Sequence, residues 1–120
     1  MKAWPFEQYG RFEEVLHWTE RPDPAPKADE AVVRTSVVSL NFPDLLICQG
    51  LYQQRAPLPA VPGCEAVGIV KAVGAQSKFK LGERVVGFNH GGGTLADYFV
   101  IDNTIGWTVP DTQATALSVT

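Results

Sequence analysis

The sequence has few cysteines, no basic excess and no long apolar run, and each absence excludes a class of protein. Its 120 residues include two cysteines, Cys48 and Cys64. They form no CxxC pair, which excludes a zinc knuckle and argues against a cytosolic disulfide. Ten basic residues against thirteen acidic ones give a net charge of −3. The charge therefore predicts neither a nucleic-acid-binding protein nor one attracted to an anionic membrane surface.

Membrane and secretion signals are also missing. No apolar stretch approaches the roughly 18 residues that a membrane span needs. Pro5 and Glu7 interrupt the N-terminal residues before they could form the apolar core of a signal peptide. We therefore predict a cytoplasmic protein that does not act at a membrane.

The common phosphate-binding loops are absent. No G-x-G-x-x-G follows a predicted strand, and no G-x-x-x-x-G-K-[ST] occurs. The segment His90-Gly91-Gly92-Gly93 resembles an esterase oxyanion loop, but the G-x-S-x-G elbow that should accompany it is missing. The glycines therefore indicate a turn that tolerates positive φ and leaves room for another backbone.

What is present indicates a mainly β domain. Glycine (11) and proline (9) together make up 20 of 120 residues, about 17% against an average near 12%, which favours turns and short strands. A chain of this size can bury about two-thirds of its surface. Period-two alternation predicts strands at residues 2–6, 14–19, 31–40, 66–73, 84–88 and 96–101.

One short helix is predicted at Phe42–Gln49. Asn41 can cap it through its side-chain oxygen, Pro43 suits its first turn, and Asp44 places negative charge at its positive end. Gly50 suits its C-terminal end. The sequence therefore predicts a strand that turns directly into a capped helix.

A second helix start is predicted after Pro110, with Asp111 as its cap. The chain stops inside this apolar element. We therefore expect residues 1–120 to be the front part of a longer protein.

Polar residues stand at the ends of several predicted elements, where side chains often line clefts. Residues 37–52 read V-V-S-L-N-F-P-D-L-L-I-C-Q-G-L-Y and place Asn41 and Tyr52 at two such ends. Residues 59–70 read P-A-V-P-G-C-E-A-V-G-I-V and place Glu65 at the start of a strand, and residues 79–88 read F-K-L-G-E-R-V-V-G-F.

In this order the motifs resemble the medium-chain dehydrogenase/reductase superfamily, and within it the zinc-independent quinone oxidoreductases related to zeta-crystallin. The resemblance covers nearly the whole chain. It implies that residues 1–120 are a GroES-like, partly open β-barrel with short helices, the N-terminal catalytic domain of a two-domain protein. A Rossmann domain after Thr120 would bind most of the cofactor, NADPH, and the full-length protein would be a homodimer.

The chain departs from the zinc-dependent alcohol dehydrogenases of that superfamily. A cysteine ligand lies there where this sequence has Asn41, and a histidine ligand where it has Cys64. A neutral amide is a poor zinc ligand, and Cys64 alone cannot supply the three protein ligands of a catalytic site. No cysteine follows Gly87 to form a structural zinc lobe. We therefore predict that zinc is absent.

The resemblance implies hydride transfer from NADPH to a quinone or conjugated carbonyl. Asn41 and Tyr52 are the predicted catalytic residues, and Asn41 and Asp44 the predicted cofactor contacts. The acceptor can disperse the developing charge, so hydrogen bonds can replace a Lewis acid. We expect the 120 residues alone to be inactive, because the dinucleotide fold would lie outside them.

Several alternatives stay open. Asn41 can serve only as a helix cap, Tyr52 can pack on the proline loop, and Asp44 can act only on the helix dipole. Leu46 stands where related enzymes often carry tyrosine, which leaves the proton donor open. The whole protein could instead be an enoyl reductase acting on acyl thioesters, or a non-catalytic scaffold that keeps the fold.

Overall fold

The computed structural model describes residues 1–51, 57–89 and 92–109. Within these residues the chain forms short helices and strands in the order β1 (Lys2–Ala3), α1 (Phe12–Val15), β2 (Thr19–Glu20), β3 (Glu30–Ser39), α2 (Phe42–Gln49), β4 (Glu65–Val73), β5 (Arg84–Phe88), β6 (Tyr98–Asp102) and β7 (Gly106–Thr108). Neither of these two helices has the length and hydrophobicity required of a membrane span.

Five of the strands form one antiparallel sheet in the order β6-β3-β4-β5-β7, curled into a half-barrel. The long pair β3 and β4 runs from Ala31 opposite Val73 to Ser39 opposite Glu65. Two register shifts interrupt it, one of them between Thr35 and Val37. Such bulges bend a strand and increase its twist, which helps the sheet to curl. The predicted mainly β, GroES-like half-barrel is confirmed.

The interior of the curled sheet holds the main core. Its buried members are all apolar: Ala31, Val33, Ala66, Val70, Phe79, Val85, Phe99 and Ile101. They come from four of the five strands and from the turn before β5. The β-branched alternation in the sequence therefore corresponds to the inward face of the sheet.

A second, smaller core holds α2 against the sheet. It is formed by Phe6, Val15, Ile47, Cys48 and Cys64, all buried. The backbone N–H of Phe6 donates to the Ala60 carbonyl oxygen at 2.7 Å, so the N-terminal segment joins this core by a backbone bridge. This packing places the β3–α2 turn beside the start of β4.

Most predicted elements agree with the structure. The helix at Phe42–Gln49 and the strand at Arg84–Phe88 have the predicted bounds, and the strands near residues 31–40, 66–73 and 96–101 agree to within two residues at either end. The strand predicted at 2–6 is shorter, because Pro5 has no backbone N–H to donate. The short strand β7 was not predicted.

The strand predicted at residues 14–19 is wrong. Residues Phe12–Val15 form α1, and only Thr19–Glu20 pair with β1. Two acidic residues in the first turn of α1, Glu13 and Glu14, favour a helix N-terminus, and Val15 is buried in the smaller core. The helix predicted after Pro110 lies outside the described residues.

Candidate functional site

Asn41 lies in the turn that joins β3 to α2. It occupies the N-cap position with extended backbone angles, φ −130° and ψ 172°. Its backbone N–H donates to Asp44 Oδ2 at 2.7 Å, and the Asp44 N–H donates to the Asn41 carbonyl oxygen at 3.0 Å. The pair has the reciprocal arrangement of a capping box. Asn41 therefore stands at the predicted N-cap position, where its backbone makes both of the bonds named here, and it remains exposed at the surface.

Asp44 is a buried carboxylate that joins two segments of the site. It is only 1% exposed. One oxygen, Oδ2, accepts the Asn41 N–H, and the other, Oδ1, accepts the Gly63 N–H at 3.0 Å. Asp44 thus connects the start of α2 with the segment that leads into β4, and the position of Asn41 depends on it.

Cys64 follows this segment directly, and its thiol lies beside Asp44. Burial raises the pKa of Cys64 to about 12, with further contributions from the Asp44 charge and a hydrogen bond to its carboxylate. Burial and the same charge raise the pKa of Cys48 to about 11. Both thiols are therefore protonated near neutral pH, which makes them poor nucleophiles.

The described residues offer no metal-binding cluster. No group of three His, Cys, Asp or Glu side chains in residues 1–51, 57–89 and 92–109 comes close enough to hold an ion. Cys64, the one thiol at the predicted ligand positions, is protonated and directed to Asp44. The described residues therefore do not fit a catalytic zinc ion.

The backbone at Asn89 and at residues 92–95 forms a wall beside Cys64 that the sequence did not predict. The Asn89 N–H donates to the Cys64 carbonyl oxygen at 2.6 Å, and the Thr94 N–H donates to that of Gly63 at 3.1 Å. Asn89 is therefore a missed candidate for the site. The sequence signal was the glycine run that follows it.

Gly92 and Gly93 act in that wall as predicted. Their φ angles are 86° and 113°, values that L side chains rarely adopt. A Cβ added at Gly92 would lie 2.6 Å from the Val61 carbonyl oxygen. The predicted positive φ is confirmed for both residues and the close backbone approach for Gly92 alone, since a Cβ at Gly93 would have no atom within 4 Å. His90 and Gly91 lie outside the described residues.

An apolar rim lies next to Asn41 along the chain. It consists of large exposed side chains: Leu40, Phe42, Leu45 and Leu51. Phe42, directly after Asn41, is 70% exposed. An exposed apolar group of this kind often marks a contact surface.

Tyr52, the second predicted catalytic residue, lies outside the described residues. The chain leads toward it from Gly50, which ends α2 in the left-handed conformation with φ 72°. The Leu51 N–H donates to the Leu46 carbonyl oxygen at 2.9 Å. The catalytic role of Tyr52 stays a prediction.

The alcohol dehydrogenase GroES-like domain family matches residues 27–111. This range includes β3, α2, Asn41, Asp44 and the segment leading into β4. The chain belongs to this family, and thereby to the medium-chain dehydrogenase/reductase superfamily.

Curated relatives fall into two named groups. The chain is 40% identical over 94 residues to the quinone oxidoreductase-like protein 2 homolog of Nematostella vectensis, a match that covers 72% of this chain and 26% of the relative. It is also 40% identical over 86 residues to the human synaptic vesicle membrane protein VAT-1 homolog, covering 70% of this chain and 22% of that protein. The chain thus spans about a quarter of the length of these relatives.

A solved structure shows the same fold at lower sequence identity. The quinone oxidoreductase of Thermus thermophilus, solved alone and in complex with NADPH, is 29% identical with a TM-score of 0.76. The match covers 97% of this chain and 36% of that one.

Proposed function

We propose that this chain is the substrate-side domain of a zinc-independent oxidoreductase that transfers a hydride from NADPH to a quinone or conjugated carbonyl. Membership of the superfamily supports this, as do relatives and a solved neighbour named as quinone oxidoreductases. In this proposal the residues described above bind and orient the acceptor. A separate dinucleotide-binding domain binds most of the NADPH.

The observation that carries the proposal is the exposed Asn41 held by the buried Asp44 carboxylate. Because Asn41 is exposed and its backbone is held by Asp44, its side-chain amide can offer the Nδ2 hydrogens to a ligand. A donor held in place before the reaction stabilises negative charge as it develops on an acceptor oxygen. Asn41 can therefore do for a quinone or enolate oxygen part of what a metal ion does for an alkoxide.

The surroundings of Asn41 suit such an acceptor. The rim residues Leu40, Phe42, Leu45 and Leu51 offer apolar surface to the flat ring of a quinone. Neither buried thiol competes as a nucleophile, because Cys48 and Cys64 stay protonated near neutral pH. The site is thus suited to orienting a carbonyl, without covalent chemistry of its own.

The described residues could contact NADPH only at its nicotinamide end. NADPH would supply the hydride. The described residues contain no phosphate-binding loop, so we assign them contact only with the nicotinamide side, through Asn41. We assign Asp44 the role of positioning Asn41, since both of its oxygens are already bonded to backbone N–H groups.

Replacing Asn41 in the full-length protein tests this proposal. Asn41→Ala removes the donor and should lower turnover of NADPH with 1,2-naphthoquinone by about 100- to 1,000-fold. Asn41→Asp caps a helix as well as asparagine does but donates no hydrogen bond, so it should keep the melting temperature and lose turnover.

The matched control is Gln49→Glu, which adds the same charge at the exposed far end of α2. It should leave turnover within a factor of about two, since an exposed single charge has a small effect. If Asn41→Asp keeps parental turnover, Asn41 is only a helix cap.

Two other functions remain candidates. The scaffold alternative is kept because some relatives are named synaptic vesicle membrane protein VAT-1 homologs, a name that states no oxidoreductase activity. Calorimetric titration of the full-length protein with NADPH distinguishes a scaffold from the proposed oxidoreductase, because a scaffold does not need to retain nucleotide binding. An enoyl reductase would bind NADPH but prefer an acyl thioester such as crotonyl-CoA over 1,2-naphthoquinone.

A further inference from the structure

A cleft of about 560 Å³ opens on the side of the sheet where β1, β3 and β6 meet. We call it the Trp cleft; the residues that give it its chemistry are Trp4, Trp18, Arg34, Asp97 and Tyr98. Its lining does not include Asn41, Asp44 or Cys64. Pockets for small molecules typically measure about 300 to 1,000 Å³, so the cleft is large enough for one.

Two partly exposed indoles form one wall of the cleft. Trp4 is 36% exposed and Trp18 49% exposed, and their ring centroids lie 5.2 Å apart at an interplanar angle of 46°. The Trp4 backbone N–H donates to the Leu95 carbonyl oxygen at 3.1 Å, which fixes the backbone at this wall. Indoles combine a large apolar contact area with rigidity. Two partly exposed indoles side by side therefore form a surface to which an apolar ligand can bind.

A cation faces the same space. Arg34 stands opposite Tyr98 in the register of β3 and β6, and it is exposed. Within residues 1–51, 57–89 and 92–109 its side chain makes no ion pair or hydrogen bond. A guanidinium without a partner can bind a carboxylate through two parallel hydrogen bonds.

Asp97 supplies the opposing charge of the cleft. Its Oδ2 accepts the Lys2 backbone N–H at 2.8 Å, so the carboxylate also holds β1 in place. It lies more than 4.0 Å from the Arg34 guanidinium, since the two form no salt bridge. The cleft thus offers an aromatic wall, one unpaired cation and a carboxylate already bonded to backbone.

We propose that the Trp cleft binds a planar aromatic carboxylate, with the ring against Trp4 and Trp18 and the carboxylate on Arg34. A fused two-ring acid fits the volume, and its flat face can pack against an indole in an offset or edge-to-face arrangement. The proposal does not depend on hydride transfer, because neither Asn41 nor Asp44 lines the cleft and the two sites share only Leu95 of the wall.

The test is a titration of the ¹⁵N-labelled 120-residue chain with 2-naphthoate, followed through the indole Nε1–H signals. The chain has three tryptophans, and Trp107, on β7 and 51% exposed, does not line the cleft. Trp4 and Trp18 should shift with saturation while Trp107 stays in place. The neutral 2-naphthamide should bind about three- to tenfold more weakly, the range expected for losing an exposed charge pair.

Three variants assign the contacts. Arg34→Gln should lower affinity for 2-naphthoate about three- to tenfold and leave that for 2-naphthamide unchanged. Lys71→Gln, the same charge change at an exposed position on β4, should alter neither. Asp97→Asn should strengthen binding of the acid by removing a like charge.

Four results would overturn the proposal. These are no saturable shift, a shift of Trp107 as large as that of Trp4 and Trp18, a movement of the Asn41 backbone amide signal in place of the indole signals, and an Arg34→Gln affinity equal to that of the parent. Because Arg34 is exposed, its replacement is not expected to impair folding, and the comparison remains decisive.

Discussion

At the scale of single residues, the buried Asp44 carboxylate has the largest consequences for the site. It accepts backbone N–H groups from Asn41 and Gly63, which lie in two different segments. A side chain without two acceptor oxygens at this position risks leaving one of these buried donors unsatisfied, which is costly. Its role was predicted only as a charge on the helix dipole and a cofactor contact.

Replacing Asp44 by asparagine should therefore destabilise the chain. The amide has one oxygen in place of two, and its NH₂ group would face a backbone donor. We expect a loss of about 1 to 3 kcal/mol in the free energy of unfolding, measured by urea denaturation. Asp29→Asn, at an exposed position, is the control and should change it by less than about 0.5 kcal/mol. Equal losses in the two variants would contradict the role of Asp44.

The two thiols make a pH-dependent prediction. The pKa of Cys48 is about 11 and that of Cys64 about 12, both raised from 9.0. The unfolded chain therefore loses these protons first, so the thiols' contribution to stability is complete below pH 9 and is lost as the pH rises toward 11 to 12. Alkylation by iodoacetamide, followed by mass spectrometry, should be slow at about pH 8 in the folded chain, where little thiolate is present.

The matched comparison is the chain unfolded in urea, where both thiols should react at the rate of ordinary cysteines. Asp44→Asn should lower the Cys64 pKa, since it removes a nearby negative charge. Rapid alkylation of the folded protein under the same conditions would show that the thiols are not held as described.

At the scale of elements, the turn leading into β4 depends on a residue without a side chain. Gly63 has φ +100°, and a Cβ placed there would clash with Thr94 Oγ1 and lie 2.9 Å from the Leu95 backbone nitrogen. Gly82 has a similar φ of +86° but no atom within 4 Å of such a Cβ. The two glycines share the backbone conformation and differ in crowding.

Gly63→Ala should consequently destabilise the chain more than Gly82→Ala. The left-handed backbone alone costs an L residue about 1 to 2 kcal/mol, which both variants lose. Only Gly63→Ala adds a clash with Thr94 and Leu95 in the wall, so it should also shift the amide signals of Asn41 and Thr94. Urea denaturation gives the difference in the free energy of unfolding. Equal losses in the two variants would show that the wall moves to accept the added methyl group at little cost.

At the scale of the whole molecule, the lack of a zinc ligand set among the described residues distinguishes this chain from zinc-dependent dehydrogenases. Elemental analysis of protein purified without a metal-affinity tag should find substoichiometric zinc, because Asn41 and Cys64 stand at the ligand positions implied by the resemblance. Adding zinc should leave the melting temperature unchanged. One zinc ion per chain would contradict the proposed metal-free mechanism.

Local chemistry determined much of this protein from the sequence alone. Alternating β-branched residues placed β3, β4, β5 and β6, and the cap, proline and glycine signals placed α2 with its bounds. These signals are local, because strand alternation and helix capping depend on residues within a few positions of each other. A strand was wrongly predicted at residues 14–19 because the four-residue helix α1 is too short to show the 3.6-residue hydrophobic period of a helix.

Only the tertiary structure decided which segments meet. Asp44 and Gly63 are nineteen positions apart, and their hydrogen bond depends on α2 packing against the start of β4. The wall at Asn89 and the Trp cleft likewise combine residues distant in sequence, such as Trp4 and Arg34. The residues next to a hydrogen-bonding side chain or an indole in the sequence do not show which distant residue it will contact. The roles of such side chains appear only when folding brings the strands together.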